Sequence, residues 1–178
     1  MELNENNKTT YLQELKGSDF QIAEHQPDIT GWQITDGSGV ELGEVKDLIF
    51  DSNALKVRYI VASLDLPTES DVDLPQYRLV LIPIGVADLD TTEDEVVVKE
   101  LTPASVQVLP LYEPGKTISP VEELAVRYAF LGRASLPHAD AVVYDNHPDD
   151  FYQHDHFDDT RYTRRQSDPD TYREPPLI

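Results

Sequence analysis

Between residues 31 and 84 the chain alternates apolar and polar positions in short runs separated by turn residues. Gly31-Trp32-Gln33-Ile34 leads into the turn Asp36-Gly37-Ser38-Gly39, whose residues tolerate positive φ. Gly43-Glu44-Val45-Lys46-Asp47-Leu48-Ile49-Phe50-Asp51 and Val57-Arg58-Tyr59-Ile60-Val61 follow, with a reversal expected at Ser52-Asn53. At a period of two, Val57, Tyr59 and Val61 share one side of a strand, and Ile60, Ala62 and Leu64 the other. A second side that is wholly apolar predicts a strand covered on both faces for part of its length. Residues 67–75 read as an acidic connection, and Arg78-Leu79-Val80-Leu81-Ile82 as a strand stopped by Pro83 and Gly85. Residues 88–94 read as an acidic turn before the strand Glu95-Val96-Val97-Val98-Lys99. Many short strands with frequent turns predict a mainly β fold over residues 19–112: a small antiparallel barrel, whose closure leaves no bare edge.

The flanks follow other rules. Residues 1–18 read as a flexible leader, with Tyr11-Leu12-Gln13-Glu14-Leu15 at helical or turn spacing, and Phe20-Gln21-Ile22 reads as a short strand. Residues 113–137 form a linker and a short helix at about 120–131. Ser119 is its cap, Pro120 fits the first helical position and Glu122 completes a capping box. Leu124, Tyr128 and Leu131 are predicted to share the packed face, with Gly132 ending the helix. Residues 138–178 form an acidic tail with His, Tyr and Arg, and without the aliphatic periodicity that would offset its ordering entropy. Within it, Asp149-Asp150-Phe151-Tyr152 and Asp158-Asp159-Thr160-Arg161-Tyr162 are expected to form transient turns or to dock aromatics on a partner.

Charge narrows the partners. The chain of 178 residues carries 34 acidic against 14 basic side chains, a formal net charge of −20. Such a balance repels nucleic-acid phosphates and anionic membranes, and favours basic partners, cations or simple solubility. Cysteine is absent, which removes disulfides and thiolate sites. The start, Met1-Glu2-Leu3-Asn4-Glu5-Asn6-Asn7-Lys8, lacks a signal-peptide pattern, and no run of about 18 apolar residues encodes a membrane span. The expectation is a soluble cytoplasmic protein without direct membrane insertion.

Residues from about 20 to 131 resemble the PRC-barrel, the β-barrel domain of the photosynthetic reaction-centre H subunit and of many small bacterial proteins. The resemblance rests on Asp28-Ile29-Thr30-Gly31-Trp32, Gly43-Glu44-Val45-Lys46-Asp47, Val57-Arg58-Tyr59 and Leu81-Ile82-Pro83-Ile84. It continues through Leu109-Pro110 and Glu122-Glu123 with Tyr128, similar to the H-subunit branch. The H subunit has an N-terminal membrane helix and lends acids to proton uptake toward a quinone. Here no such helix is encoded, and Ala54 stands where one of those acids is expected. Members without the membrane helix are often described only as general-stress or uncharacterised proteins. The ribosome maturation factor, a second relative, pairs the barrel with an RNA-associated domain, a role that the acidic balance opposes.

Candidate chemistry is sparse. His147, His154 and His156, with neighbouring Asp155, Asp158 and Asp159, are competent ligands for zinc, nickel or manganese, but their spacing matches no tight site. The tail is therefore read as solvated, with no metal and no cofactor. Glu122 and Glu123 read as a helix-start pair stabilised by the dipole, Asp47 as a hydrogen-bonded acid, and Trp32 as filling the core or covering a barrel end. Phosphate loop, nucleophile elbow and Ser-His-Asp arrangement are all missing. The expectation is a non-catalytic interaction or regulatory module with a protein partner, and with a homodimer through strand edges as one possible state. The alternatives are an accessory subunit tuning quinone reduction in a photosynthetic complex, and a cation-binding acidic stress protein.

Overall fold

Two long strands, β3 (Glu41–Asp51) and β4 (Lys56–Asp65), form the antiparallel hairpin on which the molecule is assembled. The computed structural model describes residues 11–66, 77–132, 151–153 and 155–158. Around the hairpin lie β1 (Leu12–Glu14), β2 (Gln33–Thr35), β5 (Tyr77–Pro83), β6 (Asp88–Asp90) and β7 (Glu95–Val97). The seven strands make one sheet of order β5-β4-β3-β2-β7-β6, with β1 paired to β3 off this path. A helix, α1 (Pro120–Leu131), follows the sheet.

Register, more than composition, decides which side chains meet. Two irregularities in the β3–β4 ladder each insert one residue. Val45 faces Ala62 and Asp47 faces Val61, which leaves Lys46 extra on β3; Ile49 faces Tyr59 and Phe50 faces Val57, which leaves Arg58 extra on β4. Each bulge switches the side on which later residues emerge. Ile60, Ala62 and Leu64 therefore join Val45 and Leu48 in an inner cluster, while Tyr59, Val61 and Ile49 enter an outer one. The expected two-faced burial of β4 is present. Val57, expected beside Tyr59, packs instead on the inner cluster, because the bulge at Arg58 separates them. Each fully buried aliphatic side chain in these clusters contributes about 1.5–3 kcal/mol.

Several expectations about elements are corrected. The sheet is not closed, and its β2–β7 pairing is parallel, so it is not a fully antiparallel barrel. Pro83, without an amide hydrogen, ends β5, and a 3₁₀ turn at Ile84–Val86 diverts the chain before β6. The inner cluster nevertheless draws Val80 and Ile82 from one end of the sheet and Leu89 and Val96 from the other, so the curved sheet wraps one core. Residues 88–94 are not simply a turn: Asp88–Asp90 pairs with β7, and Leu89 is buried. Leu12–Glu14, inside the stretch expected to be a flexible leader, is a strand on β3 and not helical. Phe20-Gln21-Ile22 forms no ladder; Phe20 packs on Phe50 with ring centroids 4.7 Å apart. The turn after β2 forms as expected, with Asp36 Oδ1 accepting from the amides of Ser38 and Val40 and from the Ser38 hydroxyl. That hydroxyl, more than any other group, holds the Asp36 carboxyl below the usual carboxylate range.

Gly43 sits at the tightest strand contact, where its φ is 154° and a Cβ would lie 2.0 Å from the Ser63 carbonyl oxygen. Gly43→Ala is expected to cost about 2–3 kcal/mol of stability, measured as a lowered urea midpoint. A variant within about 0.5 kcal/mol of the parent would show that this contact relaxes freely.

Candidate functional site

The outer face of β3, β4 and β5 is apolar and must be covered, and two elements from beyond the sheet cover it. Ile49, Tyr59, Val61 and Leu81 meet Val126 of α1 and the rings of Phe151 and Phe157. The stretch before α1 is tied down by the Tyr112 amide donating to the Leu79 carbonyl at 2.8 Å and by Arg78 Nη2 donating to the Leu109 carbonyl at 2.9 Å. The Tyr112 hydroxyl and the Gly115 amide both donate to Glu14 Oε1, linking this stretch back to β1.

Helix α1 starts as its sequence predicts. The Glu122 amide donates to Ser119 Oγ at 3.2 Å, and the Ser119 amide donates to Glu122 Oε2 at 2.7 Å, a reciprocal capping box with Pro120 at the first position. Gly132, at φ 77°, ends the helix by donating to the Tyr128 carbonyl. Of the expected Leu124–Tyr128–Leu131 face, Leu124 and Leu131 are half-buried against the two clusters and Tyr128 is not. Glu123 and Val126 are buried, Phe130 packs beside them, and Tyr128 is 49% exposed. Glu123, the residue next to the capping acid, is turned toward the sheet.

Glu123 is 1% exposed and accepts at Oε1 from the Tyr59 hydroxyl at 3.0 Å and from the Tyr152 hydroxyl at 2.7 Å. Burying a carboxyl group is costly unless donors replace water. Two phenols do so here, joining β4, α1 and a segment 29 residues further along the chain. Burial, reinforced by the adjacent Glu123, raises both tyrosine hydroxyls well above the usual phenol range. They therefore act as hydrogen-bond donors, and neither is prepared as an acid or a nucleophile.

That segment comprises two 3₁₀ turns, Phe151–Gln153 and Asp155–Phe157. Phe151 and Phe157 are 1% and 3% exposed. Phe157 meets Tyr59 edge-on at 5.2 Å between ring centroids. Arg58 Cζ lies 4.4 Å from the Tyr152 ring centroid, with Nη2 3.4 Å from Asp51 Oδ2, and Arg127 Cζ lies 5.0 Å from the Phe151 ring centroid. Such cation–π contacts contribute about 0.5–2 kcal/mol each. Gly85 lets this segment come close: a Cβ there would sit 2.1 Å from the Asp155 carbonyl oxygen.

The sequence-based site residues divide accordingly. Arg58, Tyr59 and Glu123 converge on this site, with Glu122 beside them in the helix cap, whereas Gly31, Trp32, Gly43, Asp47, Pro83 and Pro110 have structural places. Gly31 donates to the Val45 carbonyl, Trp32 packs on the inner cluster, Pro83 ends β5, and Pro110 lines a small cleft beside Leu81. Asp47 Oδ1 accepts from the amides of Leu48 and Lys16, and burial pushes its carboxyl above the usual range. His156 is 2% exposed against the rings of Phe151 and Phe157, which corrects the picture of a solvated tail here; His147 and His154 lie outside the described residues. Among the described residues, no three His, Asp or Glu side chains gather to hold a metal. Sequence reasoning named Phe151 and Tyr152 as aromatics to be docked on a partner and did not join them with Gly85, Arg127 and Phe157 on the chain's own sheet; the signal available was the aromatic cluster in an otherwise polar tail.

Two outcomes follow. Gly85→Ala is expected to dislodge residues 151–157 while leaving the sheet intact, seen as faster amide exchange in that segment with unchanged far-UV circular dichroism; unchanged exchange would refute the contact. Because both phenols have raised folded values, their stabilisation is fully present below pH about 10 and is lost as pH rises above it. Denaturant midpoints between pH 7 and 11 should fall at the alkaline end, and Tyr59→Phe with Tyr152→Phe should flatten that fall.

No helix among the described residues is long and apolar enough to cross a membrane. No curated protein matches the chain significantly. Residues 23–103 match the PRC-barrel domain family, a stretch that begins at Ala23 and ends just beyond β7. The chain thus carries a PRC-barrel domain over residues 23–103, with α1 and the aromatic segment packed on its outer sheet face.

Proposed function

We propose that this chain is a non-catalytic interaction module whose working surface is the outer face of β3–β5 together with α1. One observation carries the reading: this face seats a segment of single 3₁₀ turns through side-chain anchors, Phe151, Tyr152 and Phe157, with no ladder or long helix of its own. A surface that orders so irregular a segment has the properties of a peptide-binding face. The polar groups gathered there support binding and not catalysis, since the phenols are held neutral and the carboxyl group of Glu123 receives their protons as hydrogen bonds.

The accessory-subunit reading, with proton delivery toward a quinone, has less support. Ala54 carries no titratable group, and its amide is committed to Asp51 Oδ1 in the β3–β4 turn. The stress-protein reading draws on the acidic composition alone.

Affinity capture from the host organism with the full chain, followed by reconstitution with the purified captured protein, tests the proposal. A protein partner whose binding falls by at least tenfold when Arg58 and Arg127 are both replaced by Gln is the expected outcome. Turnover of a small molecule by the purified chain, lost in Tyr59→Phe, would replace the module reading with an enzyme.

A further inference from the structure

The chemistry of the occupied face defines the kind of ligand it takes. In a chain of net charge −20, this face places Arg58 and Arg127 against the rings of its occupant. The floor between them is apolar, from Ile49, Val61 and Leu81. Glu123 accepts a phenol at one point, and Gly85 leaves room for backbone at another. The occupant matches each feature. Phe151 and Phe157 fill the apolar floor, Tyr152 supplies the hydroxyl, and the backbone of Asp155 and His156 lies over Gly85. Its sequence, Asp149-Asp150-Phe151-Tyr152-Gln153-His154-Asp155-His156-Phe157-Asp158, is acidic around the aromatic anchors, and of the two arginines Arg58 is already paired with Asp51 of the sheet.

We propose that the outer face is an acceptor site for aromatic-anchored protein segments of the pattern Phe-Tyr followed by Phe five positions later, and that Phe151–Gln153 and Asp155–Phe157 are its intramolecular occupant, which an external segment must displace. The inference rests on the reading of the domain as an interaction module, and adds to it the class of partner and a mode of control. A tethered segment competes at an effective concentration of roughly millimolar, so weak cis contacts suffice to keep the face closed. Any event that frees the tethered segment opens it.

The test uses the full chain and a fluorescein-labelled synthetic peptide of residues 149–158. Phe151→Ala with Phe157→Ala removes the cis anchors. Anisotropy titration should show the peptide binding this double variant at least tenfold more tightly than the parent. Adding Gly85→Ala to the double variant should weaken binding by at least tenfold. Equal affinity for parent and double variant overturns the proposal, as does absence of binding to a double variant with native far-UV circular dichroism. If the double variant does not fold, amide exchange in the parent decides: excess unlabelled peptide should accelerate exchange at residues 151–158, and unchanged exchange overturns the proposal. Sedimentation of the parent should show a monomer; a dimer abolished by the double substitution assigns the seated segment to a second copy and overturns the cis arrangement. A purified partner that binds parent and double variant alike would leave the module reading standing and sink this one.

Discussion

Strand β4 has to bury both of its faces, and most of the molecule is arranged to let it do so. Its inner side chains, Ile60, Ala62 and Leu64, are enclosed by the curved sheet, while Tyr59 and Val61 project outward into a second core. The bulge at Arg58 makes the division sharp, because it shifts parity between Val57 and Tyr59 and sends an arginine and a tyrosine to the outer face together. A sheet of this kind cannot end at its last strand. The cover for Tyr59 and Val61 comes from Tyr112, Ile118, Val126, Phe151 and Phe157, all beyond the matched PRC-barrel residues 23–103.

The polar centre of that cover balances acid against base, unlike the chain as a whole. Acids outnumber bases by more than two to one, and yet the outer core sets Glu123 between two phenols and pairs Asp51 with Arg58, whose guanidinium, like that of Arg127, lies over an aromatic ring. Two adjacent glutamates have opposite fates. Glu122 closes the capping box in the first turn of α1, and Glu123, one residue on and a helical step around, enters the core. One acid thus completes the helix start while its neighbour is desolvated against the sheet.

Much of this was legible from residue pattern. The strands at Gly43–Asp51, the two-faced strand after it, the stop at Pro83, and α1 with its Ser119–Glu122 cap all follow from period, turn chemistry and capping, which act over a few residues. Less legible were β1 and β6. Leu12–Glu14 and Asp88–Asp90 have weak local signals, and each becomes a strand because a partner, β3 or β7, offers a ladder. The expectation of antiparallel closure failed for the same reason: strand pattern says nothing about which edge a returning hairpin joins, and β7 joins β2 in parallel.

The chain by itself determined the class of fold, the ends of its helix and the absence of cysteine chemistry, since those depend on local dihedral preferences and on composition. Only the tertiary structure decided that Glu123 and not Glu122 is buried, that Gly85 is needed for space and not for its dihedral freedom, and that Phe151 and Phe157 seat on the chain's own sheet. Those outcomes join positions 64 and 29 residues apart around Glu123, and they depend on bulges that shift register by one residue. A single inserted residue reverses a strand's faces while leaving its alternation of apolar and polar residues unchanged, so the pattern that announced the strand could not say which side its tyrosine would take.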